Sequence, residues 1–170
     1  MSIFSFGYGS NMLLRKVQVN VPTATKVANA FLSGYRFAFN KKSKDGSGKG
    51  NIIETKNPDD VVWGIIIQIA DEEKPALDKE EGLGKGYNEK RIIVTIDNAQ
   101  PTEVLAYIAD TDYVQDDLWP YDWYWDMVVL GAIENKMPVK YISFLKQFPF
   151  TIDPDQTRRL NKYALINSKE

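Results

Sequence analysis

The stretch Val61–Ala70, VVWGIIIQIA, confines the chain more than any other. It is almost continuously apolar and is bounded upstream by the turn-forming Asn57-Pro58-Asp59-Asp60. A short run of this kind, rich in β-branched residues, reads as a strand covered on both faces. Such a strand takes a central place in a sheet, so the rest of the chain has to supply neighbours on either side and packing layers above and below.

Neighbours are legible around it. Ile3, Phe4, Phe6 and Tyr8 read as a short first strand interrupted by Gly7 and Gly9, and Lys26–Asn40 (KVANAFLSGYRFAFN) as one or two strands with Gly34 at a bulge or bend. NIIET (51–55), KRIIVTID (90–97) and EVLAYIA (103–109) add three more. Between them, Lys41–Gly50 (KKSKDGSGKG) is polar and glycine-containing, which predicts a mobile loop.

Helical signals are shorter and come mostly late. NMLLRKV (11–17) suits one or two turns. Asp71–Gly82 has acids in its first turn, Pro75 near its start and a glycine just past its end. Met127, Leu130 and Ile133 share a helical spacing within Pro120–Lys136, and Pro138 opens a further segment with Val139, Ile142 and Leu145. Asp153-Pro154 reads as the N-cap and first residue of a final helix. Strands early, larger helices late and no regular βαβ alternation predict an α+β fold. With no repeat, linker or composition break, residues 1–170 read as a single domain.

The chain contains neither cysteine nor histidine. That excludes a Ser-His-Asp triad, a thiolate nucleophile and zinc held by sulfur or imidazole. No Asp-rich calcium loop is present either. Acid–base chemistry near neutral pH therefore falls to Glu, Asp, Lys or Tyr. A net charge of −2 gives no electrostatic footprint for nucleic acid or an anionic membrane. The N-terminal MSIFSFGYG lacks a basic segment and a long apolar core, and no run approaches the ~20 apolar residues of a membrane span, so a cytoplasmic protein is expected.

Three stretches could carry chemistry. In Tyr8–Met12 (YGSNM), a strand runs into glycine and then a small polar helix start, which either aims unpaired N–H groups at one point, as anion-binding nests do, or forms a plain N-cap with Gly7 and Gly9 serving the turn. It lacks the third glycine of a dinucleotide fingerprint, and no histidine exists to make Ser10 a nucleophile. In LDKEEG (77–82), Glu81 ends a short helix. It belongs either to a solvated acidic face or to a site where the negative end of the helix makes it a better proton acceptor. In DDLWPYDWYWDM (116–127), Trp119, Tyr121, Trp123, Tyr124 and Trp125 fill the core, line a pocket or cover a partner surface.

YGSNM after a first strand, GYRFAFNKKSKDGSGKGNI (34–52), VVWGIII (61–67), LDKEEG followed by Tyr87, and GAIENKMP (131–138) with Tyr141, taken in this order, resemble the gamma-glutamylcyclotransferase-like family. The similarity runs from about Ile3 to about Leu145 and does not extend past Phe150. It implies a small mixed β-barrel with helices packed outside. It also implies a substrate loop of Tyr8, Gly9, Ser10, Asn11 and Met12 whose amides hold an α-carboxylate, Glu81 as general acid/base, and Tyr87 in the substrate site, with no cofactor and no metal. The implied activity converts a γ-glutamyl amino acid, peptide or amine to 5-oxoproline and the free amine. Two other functions fit the same resemblance: removal of a γ-glutamyl protecting group from a biosynthetic intermediate, and a non-catalytic binding or interaction module. Retention of Glu81 favours an enzyme. The expected partner is a small γ-glutamyl molecule, with no nucleic acid and no membrane, and homodimerisation is left open. WPYDWYW is more aromatic than its counterpart in many relatives, and the leaving-amine side is bounded there.

Overall fold

Strand β5, Val61–Ala70, takes the central position that its composition demands. In the computed structural model, which describes residues 1–96 and 100–168, β1 (Ser2–Gly7) lies antiparallel along one side of it, with Gly7 opposite Ile65. Strand β2 (Thr25–Ser33) lies antiparallel along the other side, with a register shift between Lys26 and Ala28. Strands β6 (Tyr87–Ile96) and β7 (Pro101–Ala109) continue from β2, and β7 returns to β1 in parallel, Ser5 opposite Leu105. The result is a closed mixed barrel in the order β1-β5-β2-β6-β7. Closure removes the free edges that an open sheet would have to protect. The consecutive Ile65, Ile66 and Ile67 are all buried, so both faces of β5 are covered. Each such side chain contributes roughly 1.5–3 kcal/mol when withdrawn from water.

Lys26–Asn40 divides at Gly34, whose φ of +80° belongs to the left-handed region that glycine enters without cost. Strand β3 (Tyr35–Lys42) then leaves the barrel and pairs with β4 (Gly48–Glu54) as a separate two-stranded sheet. The mobile loop expected over Lys41–Gly50 is instead mostly the tip of this hairpin, with Lys41 opposite Lys49 and Lys42 opposite Gly48. Its polar residues satisfy one another. Asp45 accepts from the Ser47 amide (3.0 Å) and hydroxyl (2.7 Å) and pairs with Lys49, while the Gly48 amide donates to the Trp119 carbonyl at 2.9 Å. Composition alone could not distinguish that arrangement from a solvated loop.

Among the described residues five α-helices cover the barrel: α1 (Leu14–Gln18), α2 (Lys74–Glu81), α3 (Asp122–Glu134), α4 (Val139–Lys146) and α5 (Gln156–Ile166). The largely buried α3 lies against a short turn, Ser10–Met12, that follows β1. At Gly131 a Cβ would stand 2.8 Å from the Met12 Cβ and 3.0 Å from the Leu13 nitrogen. Glycine inside a helix costs ~1 kcal/mol relative to alanine, so its presence here follows from this close approach. Asp153 does not cap the last helix. Asp155 does, accepting from the Arg158 amide at 2.9 Å, while Asp153 is fully buried and accepts from Trp123 Nε1 (2.7 Å) and Arg158 Nε (2.7 Å). A carboxylate removed from water requires such partners, and this one ties α5 to α3. Asp97, where one expected strand ends, and the last two residues of the expected 1–170 domain lie outside the described residues. No described helix is long and apolar enough to cross a membrane.

Candidate active site

The turn after β1 leaves backbone donors unused. The Gly9 carbonyl accepts from the Met12 amide and the Ser10 carbonyl from the Leu13 amide, both at 3.1 Å. Among the described residues the amides of Gly9, Ser10 and Asn11 have no recorded acceptor, as expected where a helical turn begins. These three residues and Tyr8 line a narrow inner cavity of about 30 Å³. Met12 does not line it. Its side chain is buried in the core and its carbonyl accepts from Asn135 Nδ2 at 2.7 Å.

Glu81 reaches the same cavity from the last residue of α2. Gly82 ends the helix at φ +68°, and the amides of Gly82 and Leu83 turn back to the Lys79 and Asp78 carbonyls. Glu81 Oε1 accepts from Asn11 Nδ2 at 2.6 Å. Asn11 cannot flip without loss, because its Oδ1 accepts from Lys16 Nζ at 2.8 Å, and Lys16 is itself paired with Glu80 at 2.9 Å. Burial would lower the Lys16 ammonium, but the charges of Glu81 and Glu80 outweigh it and hold the group above its ordinary value. Among the described residues Glu81 Oε2 has no hydrogen-bond partner.

Tyrosines complete the wall. The Tyr8 hydroxyl donates to the Tyr107 carbonyl, the Tyr87 hydroxyl to the Gly50 carbonyl (2.7 Å) and the Tyr107 hydroxyl to Asp78 Oδ1 (2.6 Å). Tyr124 differs, because its oxygen accepts from the Gly50 amide at 3.0 Å, which leaves its own proton available. Burial pushes the Tyr8, Tyr87 and Tyr124 phenols above their ordinary value, and the nearby charge of Glu81 adds to the shift. They are neutral donors at physiological pH, which leaves Glu81 as the one carboxylate among the residues lining the inner cavity.

The structure thus brings together Tyr8, Gly9, Ser10, Asn11, Glu81 and Tyr87, adds Phe6, Gly50 and Tyr107, which the sequence did not single out, and adds Tyr124 from the aromatic stretch that was left open between core, pocket and partner surface. Of the aromatic stretch, Trp123 and Tyr124 face an adjoining outer cavity, whereas Trp119 is exposed. Tyr141 lies elsewhere, in a groove between β3 and α4.

The mixed five-stranded barrel thus sets an amide-lined turn opposite a helix-terminal carboxylate across one cavity. Residues 61–145, half of the chain, match the AIG2-like family, and the chain belongs to it. That segment contains Glu81, Tyr87, Tyr107 and Tyr124 but not the turn after β1. The curated gamma-glutamylcyclotransferases of Bos taurus and Homo sapiens are 28% identical over 150 and 149 residues. These alignments cover 82% and 85% of this chain and 75% and 78% of the relatives. A solved gamma-glutamyl cyclotransferase shares the fold with a TM-score of 0.81 at 22% identity, covering 95% of this chain and 99% of that one. A yeast gamma-glutamyl cyclotransferase specific to glutathione aligns at 0.55 and 15% identity, covering 97% and 94%.

Proposed function

We propose that the chain is a cofactor-independent cyclotransferase that releases 5-oxoproline from a γ-glutamyl amino acid, peptide or amine. The observation that carries this reading is Glu81, held by Asn11 across a narrow cavity from the amides of Gly9, Ser10 and Asn11. The substrate's α-carboxylate accepts from those amides, an arrangement that short glycine-containing turns offer to anions. Its α-ammonium then lies towards Glu81 Oε2 and gives up a proton. The free amine attacks the γ-carbonyl within the same molecule, forming the ring C–N bond and a tetrahedral oxyanion. The Tyr124 hydroxyl is the available donor to that oxyanion. As the intermediate collapses, the γ-carbon to leaving-nitrogen bond breaks and the proton held by Glu81 passes to the departing nitrogen; the ring nitrogen then gives up its second proton, through the regenerated Glu81 carboxylate, to the released amine, which leaves as the ammonium. No water is consumed and no external oxidant or reductant is needed.

Folding a flexible chain into attack geometry supplies up to ~7–11 kcal/mol of the barrier, and one well-placed acid/base adds roughly 10²–10⁴-fold. A chain without histidine lacks nothing for this chemistry. The names of the curated relatives and the fold of the solved gamma-glutamyl cyclotransferase support the same reading. The test is incubation with a panel of γ-glutamyl dipeptides and amines, following 5-oxoproline by mass spectrometry. Its absence from every reaction, with folding verified by circular dichroism, would overturn the proposal.

A further inference from the structure

The outer cavity, about 200 Å³, shares Ser10, Glu81, Tyr87 and Tyr124 with the inner one. A molecule whose γ-glutamyl end fills the inner cavity extends its leaving amine into the outer one. Trp123 and Met127 give this space an apolar wall, and the rest is dominated by lysine. Lys16 arrives from α1, Lys41 from β3, Lys49 from β4 and Lys162 from α5, against the carboxylates of Glu80 and Glu81 only.

Two of these cations are already matched: Lys16 by Glu80 at 2.9 Å and Lys49 by Asp45 at 3.0 Å. Lys41 and Lys162 form no salt bridge among the described residues, although the charges of Asp45 and Glu81 act on Lys41 and Lys162 acts on Glu80, and they rest on ring faces, 4.8 Å from the centre of Tyr87 and 5.1 Å from that of Trp123. Both are partly buried. The surplus is local, since the whole chain carries a net charge of −2. It is also uncomfortable. Burial pushes Lys49 down to about 8 despite Asp45, with Lys162 and Arg158 adding repulsion, and burial likewise lowers Lys41. Partly desolvated cations in direct contact with no carboxylate are relieved by an anion that fits between them.

We propose that Lys41 and Lys162 form the specificity subsite for the leaving amine, and that the preferred substrates are γ-glutamyl conjugates of amines carrying two negative charges. The inference rests on the cyclotransferase reading of the inner cavity. Two carboxylates, or one phosphate, present the same chemistry to the two ammonium groups. A cationic amine is repelled, and a neutral one gains nothing from them.

The test compares kcat/KM for 5-oxoproline release from γ-glutamyl-aspartate, γ-glutamyl-phosphoethanolamine, γ-glutamyl-alanine and γ-glutamyl-alaninamide. The aspartate or phosphate conjugate should exceed the alanine conjugate, and the alanine conjugate the amide, by about tenfold per step, as charge-assisted hydrogen bonds in a partly desolvated site allow. Added salt should compress the spread. In the Lys41→Met/Lys162→Met double variant the spread should shrink to about twofold. An alaninamide conjugate turned over as efficiently as the aspartate one, or an unchanged spread in the double variant, overturns the proposal; which dianionic conjugate leads distinguishes carboxylate from phosphate. Should no conjugate release 5-oxoproline, the cyclotransferase reading falls separately. Calorimetric affinities of the same four conjugates for the wild type and the double variant then decide the subsite, a flat series refuting it. If the double variant does not fold, the two single variants carry the comparison, each expected to remove one step.

Discussion

Gly131→Ala tests whether the position of the amide turn, rather than its mere presence, governs activity. The added Cβ would lie 2.8 Å from the Met12 Cβ and 3.0 Å from the Leu13 nitrogen. Carbon atoms settle at ~3.5–4.0 Å, so helix α3 and the turn Ser10–Met12 must separate by roughly 1 Å. Overpacking of this kind costs ~1–3 kcal/mol, and alanine returns ~1 kcal/mol through its better helix propensity. The net destabilisation is therefore about 0–2 kcal/mol, a fall in Tm of no more than ~8 °C for a chain of this size. Activity should respond far more. Asn11 is displaced from Glu81 and the free amides from the cavity, and a misplacement near 1 Å can cost ~10²-fold. Thermal melting and 5-oxoproline release measured on one preparation check both quantities. A variant that melts as expected yet keeps kcat/KM within about twofold of wild type would show that the turn tolerates movement, and the positional argument would fail.

Glu81→Gln keeps the shape and the contact with Asn11 but removes the proton acceptor, so turnover should drop by ~10²–10⁴-fold while calorimetric affinity changes little; turnover within tenfold of wild type would remove Glu81 from the role. Lys16→Met leaves Asn11 Oδ1 without its donor and loosens the hold of Asn11 on Glu81, so kcat should fall more than KM rises; rescue by Lys16→Arg would separate positioning from a general loss of structure. Lys49 faces Asp45 on its own hairpin, Lys162 and Arg158 of α5, and the rings of Tyr121, Trp123 and Tyr124. It is charged below about 8 and neutral above, so the preference for anionic leaving amines should weaken as pH rises through that value, and Lys49→Met should flatten the profile there. The Arg158 guanidinium bonded to Asp153 holds its carboxyl down to about 2, whereas an unfolded aspartate titrates near ~4. Its stabilising contribution is present above the higher value and is lost as pH falls from ~4 towards the lower; Asp153→Asn should flatten that limb of an acid-unfolding curve, and an unchanged curve would refute the assignment.

What the sequence disclosed and what it concealed follow from distance along the chain. The place of β5 was legible because ten consecutive residues carry the signal, and the end of α2 because a glycine directly after a short helix is a local stop; that Glu81 faces a cavity was implied only by the resemblance. The turn at Tyr8–Asn11 was legible in the same way. Gly50 was not, because its two tyrosine partners lie 74 and 37 residues away and its neighbours have the composition of a loop. Tyr107 and Tyr124 sit on a strand and a helix where an aromatic residue equally serves the core, and only closure of the barrel turns them towards a cavity. Asp153 and Asp155 both fit the spacing of a cap. Burial beside Trp123 and Arg158, which no local pattern encodes, separates them.

The wall of neutral phenols bears on the proposed chemistry in a way that Glu81 alone does not. A bound γ-glutamyl group brings one carboxylate and one ammonium into a cavity whose lining contains a single carboxylate. In water, proton transfer from an ammonium to a carboxylate is steeply uphill. Enclosure in one narrow cavity holds the two groups in contact, and ring closure consumes the neutral amine as soon as it forms. Tyr8, Tyr87 and Tyr124 supply hydrogen bonds without net charge, and burial keeps them from ionising. The lysines are concentrated among the residues of the outer cavity, where the proposed subsite receives the departing amine, and Lys16 alone reaches the inner cavity, through Asn11. On the proposed reading, one carboxylate flanked by neutral donors serves as base and then as acid within a single turnover.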